Sequence, residues 1–312
     1  MAHRLVVGAG PIGSALTRHL AAAGDTVTLV TRSGRGPQAD DVTRIAANAA
    51  DPDRLTALAT GVDTVFNCAN PGTYSQWETE WPPLAASLLT AAERSGAVLV
   101  TLSNLYGYGP VDVPLSRDLP LAATGHKGQL RNRMWQDALD RHRAGRIRAT
   151  EVRASDYIGP EVTAAGGMLR RYADATLRGR TAWVFGDPDV PHTFSDSEDV
   201  AALLALVADD ERAWGQPWHV PAAEPRTMRQ ALTDLGAVVD APTPRLRRMP
   251  RAAVSALSPV VPIMRELGEV LWQFERPFVL DAADTTREFG VVGTAWETTV
   301  ERTGRAWAAR PA

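Results

Sequence analysis

The chain has 312 residues, of which 45% are hydrophobic and 22% charged, so it is long enough and apolar enough to form a globular α/β protein. Its formal net charge of −3 gives no reason to expect nucleic acid or an anionic membrane as a partner. The single cysteine, Cys68, excludes an intrachain disulfide and a Cys-based zinc site, and it fits a reducing, cytoplasmic location. The first strand follows the first few residues directly, so no signal peptide is predicted.

Strands and helices alternate through the first half of the chain. Hydrophobic runs predict six strands, at residues 5–7, 27–31, 43–47, 64–68, 98–102 and 147–153. Helical patterns lie between them, at residues 14–23, from residue 52, at 81–95 and at 127–143, and Asp51 is predicted to cap the second helix. Because strands that alternate with crossover helices form a parallel sheet covered on both faces, the predicted fold class is α/β with a doubly wound, mostly parallel sheet.

After residue 160 the pattern becomes mainly helical. It predicts a helix from residues 166–167, a strand at 183–185, a helix at 196–208 and a strand at 218–220, while Thr227 and Gln230 form a capping box. The predicted domains are therefore residues 1–160, which carry the sheet, and residues 161–312, a smaller, mainly helical C-terminal lobe for the substrate. Part of 181–225 is predicted to return to the main sheet. Since ligands bind at the carboxyl ends of parallel strands, the lobe is expected to close over that edge.

A glycine-rich turn joins the first strand to the first helix. Gly8 permits a tight turn, Gly10 lets the backbone approach a pyrophosphate, and Gly13 lets the helix pack close to the strand. The phosphates are expected on the unpaired N–H groups and the positive end of the helix. The turn therefore predicts a dinucleotide site in which Pro11 and Ile12 contact the ligand together with the three glycines.

Five segments of the chain resemble the extended short-chain dehydrogenase/reductase superfamily, in its NAD-dependent epimerase/dehydratase branch. They are the glycine turn at 8–13, Val-Phe-Asn-Cys-Ala at 65–69, Ser-Asn-Leu-Tyr-Gly-Tyr-Gly at 103–109, Arg-Ala-Ser-Asp-Tyr-Ile-Gly-Pro at 153–160, and residues 281–290. Their order and spacing extend the resemblance over nearly the whole chain. The resemblance implies a Rossmann fold, a nicotinamide dinucleotide cofactor, a small-molecule substrate and a homodimer.

The resemblance also implies further contacts with the cofactor. Asn48 and Ala49 match the pair that contacts adenine, with Asn where the family usually has Asp. Other implied contacts follow the fourth and the sixth strand, namely Cys68, Ala69, Asn70, Ala154 and Ser155. For Cys68 only contact is expected, because a small, buried, apolar side chain accounts for its presence.

The residues at the end of the second strand predict which cofactor is bound. NAD-specific sites place Asp or Glu there to bind the ribose 2′-hydroxyl, whereas this chain has Thr31, Arg32 and Ser33, with Arg35 close behind. A guanidinium pairs with a 2′-phosphate, which a carboxylate would repel. NADP(H) is therefore favoured over NAD(H). The alternative is that Arg32 is only a solvated loop charge.

The family's catalytic pair, a Tyr and a Lys four residues apart on one helix, is replaced in this chain. No Tyr-x-x-x-Lys occurs anywhere in the sequence. If Lys127 is the family's Lys, Ala123 stands in the Tyr position and the acid is missing. If the helix is counted back from Arg153 by the family's usual separation, Lys127 takes the Tyr position and Arg131 the Lys position. We prefer the second register.

That register gives three candidate catalytic residues. Beside the permanently charged Arg131, Lys127 is expected to have a lowered pKa and to pass a proton to an alkoxide, because like charges disfavour protonation. Arg131 would keep the contact with the nicotinamide ribose. Asn104, four residues before Tyr108, replaces the family's Ser or Thr and can donate a hydrogen bond to a carbonyl oxygen. Alternatively, Lys127 binds a substrate carboxylate or phosphate, or is a solvated residue at the start of a helix.

Several other side chains are weighed against these three. Four alternative proton donors lie near strand ends or beside Lys127, namely Tyr106, Tyr108, Tyr157 and His126. Each tyrosine is more typical of a packing aromatic than of a proton donor. His192 and His219 are expected to be structural. No His, Cys and carboxylate cluster has metal-ligand spacing, so no metal site is predicted.

The predicted function is the NADP-dependent reduction of a ketone or aldehyde carbonyl in a small to medium apolar substrate. A helical stretch is expected to supply a lipophilic wall, through Ile263, Leu267, Leu271, Trp272 and Phe274. A nucleotide-sugar epimerase or dehydratase is the alternative that the arginines of the C-terminal lobe keep open. Two further alternatives are a non-redox isomerase or cyclase and a cofactor-sensing protein. The missing Tyr favours the cofactor-sensing protein.

Overall fold

The structure is a computed structural model, and it describes residues 1–250, 252, 266 and 268–309. Contacts within the chain divide it into two compact units. Unit 1 contains Met1–Asn104, Gln129–Arg153 and Val200–Trp218, and unit 2 contains Leu105–Gly128, Ala154–Asp199 and His219–Ala312. The domain boundary predicted at residue 160, and the substrate role predicted for residues 161–312, stay predictions.

The main sheet confirms the predicted fold class. Its strands are β1 (His3–Val7), β2 (Thr26–Thr31), β3 (Val42–Ala46), β4 (Thr64–Asn67), β5 (Val98–Ser103), β6 (Arg148–Arg153) and β11 (Pro217–His219). Their spatial order is β11-β6-β5-β4-β1-β2-β3, and β1 to β6 pair in parallel. The order reverses between β1 and β4, where the chain has crossed from one side of the sheet to the other. At such a switch point the loops that follow the strands leave a crevice for a ligand.

Helices connect these strands, and most of their ends agree with the sequence. They are α1 (Pro11–Ala22), α2 (Pro52–Ala59), α3 (Trp77–Ser95), α4 (His126–Arg143) and α6 (Ser197–Asp209). Asp51 caps α2 as predicted, because its Oδ1 accepts hydrogen bonds from the N–H groups of Asp53 (3.1 Å) and Arg54 (3.0 Å). Helix α3 begins earlier than predicted. Pro82 and Pro83 lie inside it, and proline is usually confined to the first turn.

Unit 2 combines helices with three small sheets. The sheets pair β7 (Asp156–Ile158) with β10 (Phe194–Asp196), β8 (Thr181–Val184) with β13 (Arg245–Arg248), and β9 (Pro191–His192) with β12 (Arg226–Thr227). The helices are α5 (Met168–Thr176), α7 (Met228–Ala237), α8 (Ala283–Phe289) and α9 (Trp296–Ala308). The predicted capping box opens α7, since the side chains of Thr227 and Gln230 each accept the other's backbone N–H.

The predicted lipophilic wall is only partly described. Ile263 and Leu267 lie outside the described residues. Leu271, Trp272 and Phe274 lie on a short 3-10 helix, Leu271–Phe274, where Leu271 and Phe274 are buried. In the parts of the chain that the structure describes, no helix has both the length and the apolar character needed to cross a bilayer.

Candidate functional site

The glycine turn of unit 1 is packed too tightly for side chains at two of its positions. Gly8 has a φ of 100°, and a Cβ there would lie 2.7 Å from the Cα of Ala69. A Cβ on Gly13 would lie 2.0 Å from the carbonyl oxygen of Gly8. The first and third glycines are therefore required by the close approach of β1, α1 and the loop after β4, as the sequence predicted.

Gly10, the middle glycine, is open instead. It is the N-cap of α1 in an extended conformation, and a Cβ there would meet nothing within 4 Å. Pro11 is the first helical residue, no side chain caps the helix, and its first turn carries no acidic residue. The backbone donors of the first turn are thus left to an outside acceptor, which is what a pyrophosphate requires.

The loop after β4 lies against this turn. The backbone N–H of Cys68 donates to the carbonyl of Val7 (2.9 Å), and Asn67 Oδ1 accepts the N–H of Ala69 (3.3 Å). Cys68 is buried, and burial raises the pKa of its thiol to about 12. The thiol therefore stays protonated and acts as a small apolar side chain, in agreement with the contact-only role expected for it. Asn70, the last predicted contact of this loop, is exposed.

The end of β2 carries the residues predicted to select the cofactor. Thr31 Oγ1 donates to the carbonyl of Arg35 (3.1 Å), and Ser33 Oγ accepts the N–H of Arg35 (3.4 Å), so the loop is held by its own hydrogen bonds. The side chain of Arg32 is 74% exposed and lies 3.7 Å from Glu80. An exposed ion pair of this length is weak, so it leaves the guanidinium able to bind a phosphate.

The predicted adenine contacts lie in a turn before α2. Asn48 Oδ1 accepts the N–H of Ala50 (3.1 Å), and its carbonyl accepts the N–H of Asp51 (3.1 Å). One side of the Asn48 amide is therefore used to shape the turn, while the neighbouring Ala49 is half-buried.

Arg131 is held against the end of β5. Its Nη2 donates to the carbonyl of Leu102 (2.7 Å), and its guanidinium lies 4.7 Å from the ring centroid of Trp81. The residue is buried, so α4 is fixed to β5 two residues before Asn104, another predicted catalytic residue. The sequence predicted neither of these contacts.

Lys127, in unit 2, is buried between two carboxylates. Its Nζ donates to Glu266 Oε2 and to Glu269 Oε2, both at 2.7 Å, and its backbone N–H donates to Glu269 Oε1 at 2.6 Å. Its Nζ is therefore held in two ion pairs that the sequence did not predict. The interpretation of Lys127 as a solvated residue is wrong, because only 4% of it is exposed.

Other candidates of unit 2 make hydrogen bonds within the protein. The hydroxyl of Tyr108 lies 2.6 Å from His219 Nε2, and His219 Nδ1 lies 2.8 Å from the carbonyl oxygen of Asp281. Because a carbonyl only accepts, Nδ1 carries the hydrogen, Nε2 accepts, and Tyr108 donates. Ser155 Oγ donates to the carbonyl of Thr193 (2.6 Å), so this predicted cofactor contact uses its hydroxyl inside unit 2.

Glu266 and Glu269 are the residues that sequence reasoning missed. They lie 139 and 142 residues from Lys127, and no local pattern joins them. One signal was available, because Lys127 is the only lysine among the 33 lysine and arginine residues of the chain. Among the described residues, no three His, Cys, Asp or Glu side chains are grouped to hold a metal ion.

Comparison with known proteins identifies the family. A model of the NAD dependent epimerase/dehydratase family matches residues 4–220. A comparison with curated protein sequences finds no significant match.

Solved structures show the same fold at low sequence identity. A double mutant of a dTDP-glucose 4,6-dehydratase from Streptomyces venezuelae, with NAD bound, has a TM-score of 0.80 at 18% identity, covering 99% of this chain and 97% of the other. The UDP-glucose 4-epimerase of Thermotoga maritima has a TM-score of 0.81 at 16% identity, covering 98% of both chains. The UDP-N-acetylglucosamine 4-epimerase of Methanobrevibacter ruminantium has a TM-score of 0.81 at 14% identity and the same coverage. The family match, which covers more than two thirds of the chain, establishes that the protein belongs to the NAD dependent epimerase/dehydratase family.

Proposed function

We propose that the protein is an NADP-dependent oxidoreductase that reduces the ketone or aldehyde carbonyl of a small to medium apolar substrate. The glycine turn is the observation that supports binding of a dinucleotide cofactor. Gly8 and Gly13 have no room for a side chain, Gly10 faces open space, and the first turn of α1 is uncapped. This arrangement fits a pyrophosphate, which the turn and the residues after β4 would hold. When bound, the reduced nicotinamide supplies a hydride.

The preference for NADP rests on charge at the end of β2. No carboxylate stands at Thr31, Arg32 or Ser33, where an NAD site needs one for the ribose 2′-hydroxyl. The exposed Arg32 provides a guanidinium that can pair with a 2′-phosphate, and its present partner Glu80 is weakly bound at 3.7 Å.

Three residues are assigned to the reaction. Lys127 Nζ donates a hydrogen bond to the substrate oxygen and gives it a proton as the carbonyl becomes an alcohol. Asn104 is assigned as a hydrogen-bond donor to a carbonyl oxygen. Arg131, fixed by Leu102 and Trp81, is assigned to the nicotinamide ribose. In this assignment Lys127 replaces the missing Tyr as the proton donor.

A nucleotide-sugar epimerase or dehydratase is the second candidate, favoured by the family match. Solved structures with this fold include one with UDP-glucose bound and another with both UDP-glucose and NAD. If neither of these two activities is found, the remaining candidates are a non-redox isomerase or cyclase and a cofactor-sensing protein. The homodimer stays a prediction, which light scattering of the purified protein tests.

Calorimetry and a substrate panel test the proposal. Titration with NADPH and NADH should show tighter binding of NADPH, and equal affinity or tighter NADH would refute the preference. Loss of reduced nicotinamide absorbance with apolar ketones and aldehydes, but not with UDP- or dTDP-sugars, is expected. Conversion of a nucleotide sugar without net use of NADPH would establish the second candidate instead. Binding without any turnover would leave the sensor or the non-redox enzyme.

A further inference from the structure

The protein uses lysine at one position only. Lys127 is the single lysine among 33 lysine and arginine residues, so every other basic side chain of this kind is a guanidinium. A lysine ammonium is a compact charge with three donors on one nitrogen, whereas a guanidinium is a rigid planar fork that spreads five donors over three nitrogens. The surroundings of Lys127 need the first kind of cation.

Glu269 contacts Lys127 twice. Its Oε2 accepts from Nζ at 2.7 Å, and its Oε1 accepts from the backbone N–H of the same residue at 2.6 Å. Since α4 begins at His126, this N–H is one of the first-turn donors that have no acceptor inside the helix. Glu269 therefore caps α4 and fixes the side chain of Lys127 with one carboxylate.

The neighbouring glycine makes room for that carboxylate. A Cβ on Gly125 would lie 2.5 Å from Glu269 Oε1 and 2.7 Å from its Cγ. A side chain at position 125 would thus displace Glu269. Glu266 Oε2, 2.7 Å from Nζ, completes a cluster of two carboxylates and one ammonium, which carries a net charge of −1 when all three are ionised.

We propose that Glu269 is the positioning residue of the reaction: it holds the Lys127 side chain in one orientation at the start of α4. The inference rests on the proposed function in assigning Lys127 to the substrate oxygen. A proton passes from Nζ to that oxygen, and water afterwards returns a proton to the nitrogen. The two carboxylates fix the position of Nζ for this transfer.

The single lysine allows a direct test. Protein grown with isotope-labelled lysine gives one side-chain signal in the nuclear magnetic resonance spectrum, and it can belong only to Lys127. In the wild-type protein the Nζ hydrogens should exchange slowly with water, because the nitrogen is buried and hydrogen-bonded to two carboxylates. Exchange as fast as that of free lysine would overturn the proposal without the need for any variant.

Glu269→Gln is the matched variant. It keeps the shape and one acceptor but removes the charge, so the Nζ hydrogens of Lys127 should exchange with water about tenfold faster than in wild type, because a charge-assisted hydrogen bond is replaced by a neutral one. Glu93→Gln, which removes a carboxylate bound to Arg141 and Arg146, is the control and should leave this exchange unchanged. Gly125→Ala should also speed the exchange, because it displaces the carboxylate. Equal exchange rates in wild type and Glu269→Gln would contradict the proposal.

The split between kcat and KM separates positioning from simple stabilisation. In Glu269→Gln, kcat of the folded enzyme should fall about tenfold at unchanged KM, because the proton donor is misplaced. A merely structural role would lower the unfolding temperature and leave kcat of the folded enzyme unchanged. NADPH affinity, measured by calorimetry, should match wild type in this variant. If wild type itself does not bind NADPH, the proposed function fails, and the lysine exchange measurement still decides the role of Glu269.

Discussion

The glycine turn between β1 and α1 and the Lys127 cluster at the start of α4 solve similar problems in different ways. In both places the first turn of a helix has backbone N–H groups with no acceptor inside the helix. The turn leaves them uncapped for an outside anion, since no side chain caps α1. In the cluster the acceptor comes from the protein itself, because Glu269 accepts the N–H of Lys127 at 2.6 Å. A helix start that is left open fits a ligand-binding role, and one that is closed by a carboxylate fits a positioning role.

The two regions also differ in how much of them a sequence can reveal. The turn is made by neighbours in the chain, and its requirements are steric, so three glycines at fixed spacing express them. The cluster joins residues 142 apart through side-chain atoms. Its local sequence contains only a lysine after a glycine, which is equally typical of a solvated helix start.

Removal of the Lys127 amine should have the largest effect. Lys127→Ala is expected to reduce turnover by roughly 100- to 10,000-fold, the usual contribution of a positioned proton donor. NADPH affinity should be unchanged, because the glycine turn holds the cofactor. Calorimetry and initial rates on the same preparation test both statements.

Lys127→Arg is the matched control for charge. It keeps a cation near the two carboxylates but not the single nitrogen between them, so its turnover should lie between wild type and Lys127→Ala. Thermal unfolding of both variants checks folding, since a half-buried carboxylate pair without its counter-ion is destabilising. Unchanged turnover in Lys127→Ala would remove this residue from the mechanism.

The open side of the glycine turn gives the next largest effect. Gly10→Ala adds a methyl group where no protein atom lies within 4 Å and where the backbone is extended, so the fold should tolerate it. The methyl group would occupy space needed by the pyrophosphate. Both dinucleotides should bind roughly 10- to 100-fold more weakly, from about 1–3 kcal/mol of steric conflict.

Gly236→Ala, in α7, is the matched control for that variant. Its added Cβ would meet only ordinary contacts, the nearest at 3.6 Å. It should bind NADPH as wild type does. Equal affinity of Gly10→Ala and wild type would contradict the placement of the phosphates on α1.

A smaller, selective effect is expected at the end of β2. Arg32→Ala should weaken NADPH about tenfold and leave NADH unchanged, because only NADPH carries the 2′-phosphate that the guanidinium pairs with. Arg54→Ala, an exposed arginine of α2, serves as the control. An equal loss of affinity for both cofactors would show a general charge effect. No loss of NADPH affinity would mean that Arg35 or another residue selects the cofactor.

Particular elements show why some features were predictable and others not. Asp51 before Pro52, and Thr227 with Gln230, act on backbone groups two or three residues away, and their predicted caps are present. Helix α3 was predicted to start at residue 81, but it starts at Trp77, because tertiary packing overrides the local preference of proline. Trp77 and Trp81 are both buried, with ring centroids 6.0 Å apart.

The candidate catalytic region was predicted as a set of positions, not as contacts. The helical pattern placed Lys127 and Arg131 one turn apart on the same helix, which α4 confirms, while the family register stays a prediction. The partners that determine their chemistry came from elsewhere: a backbone carbonyl of β5 for Arg131, and carboxylates near the end of the chain for Lys127. Neither has a local sequence signature.

Cys68 offers an effect that is absent at neutral pH, and a measure of how closely the glycine turn is packed. Burial raises the pKa of its thiol from 9.0 to about 12, so the folded protein keeps a proton that the unfolded chain releases. The stability linked to this group is complete below pH 9 and is lost as the pH rises towards 12, with a slope of about 1.4 kcal/mol per pH unit. Urea unfolding of wild type and Cys68→Ala at several pH values should show the two curves converging over that interval. Parallel curves would mean that the thiol is accessible to hydroxide in the folded protein, and that the loop after β4 opens away from Gly8 and Gly13.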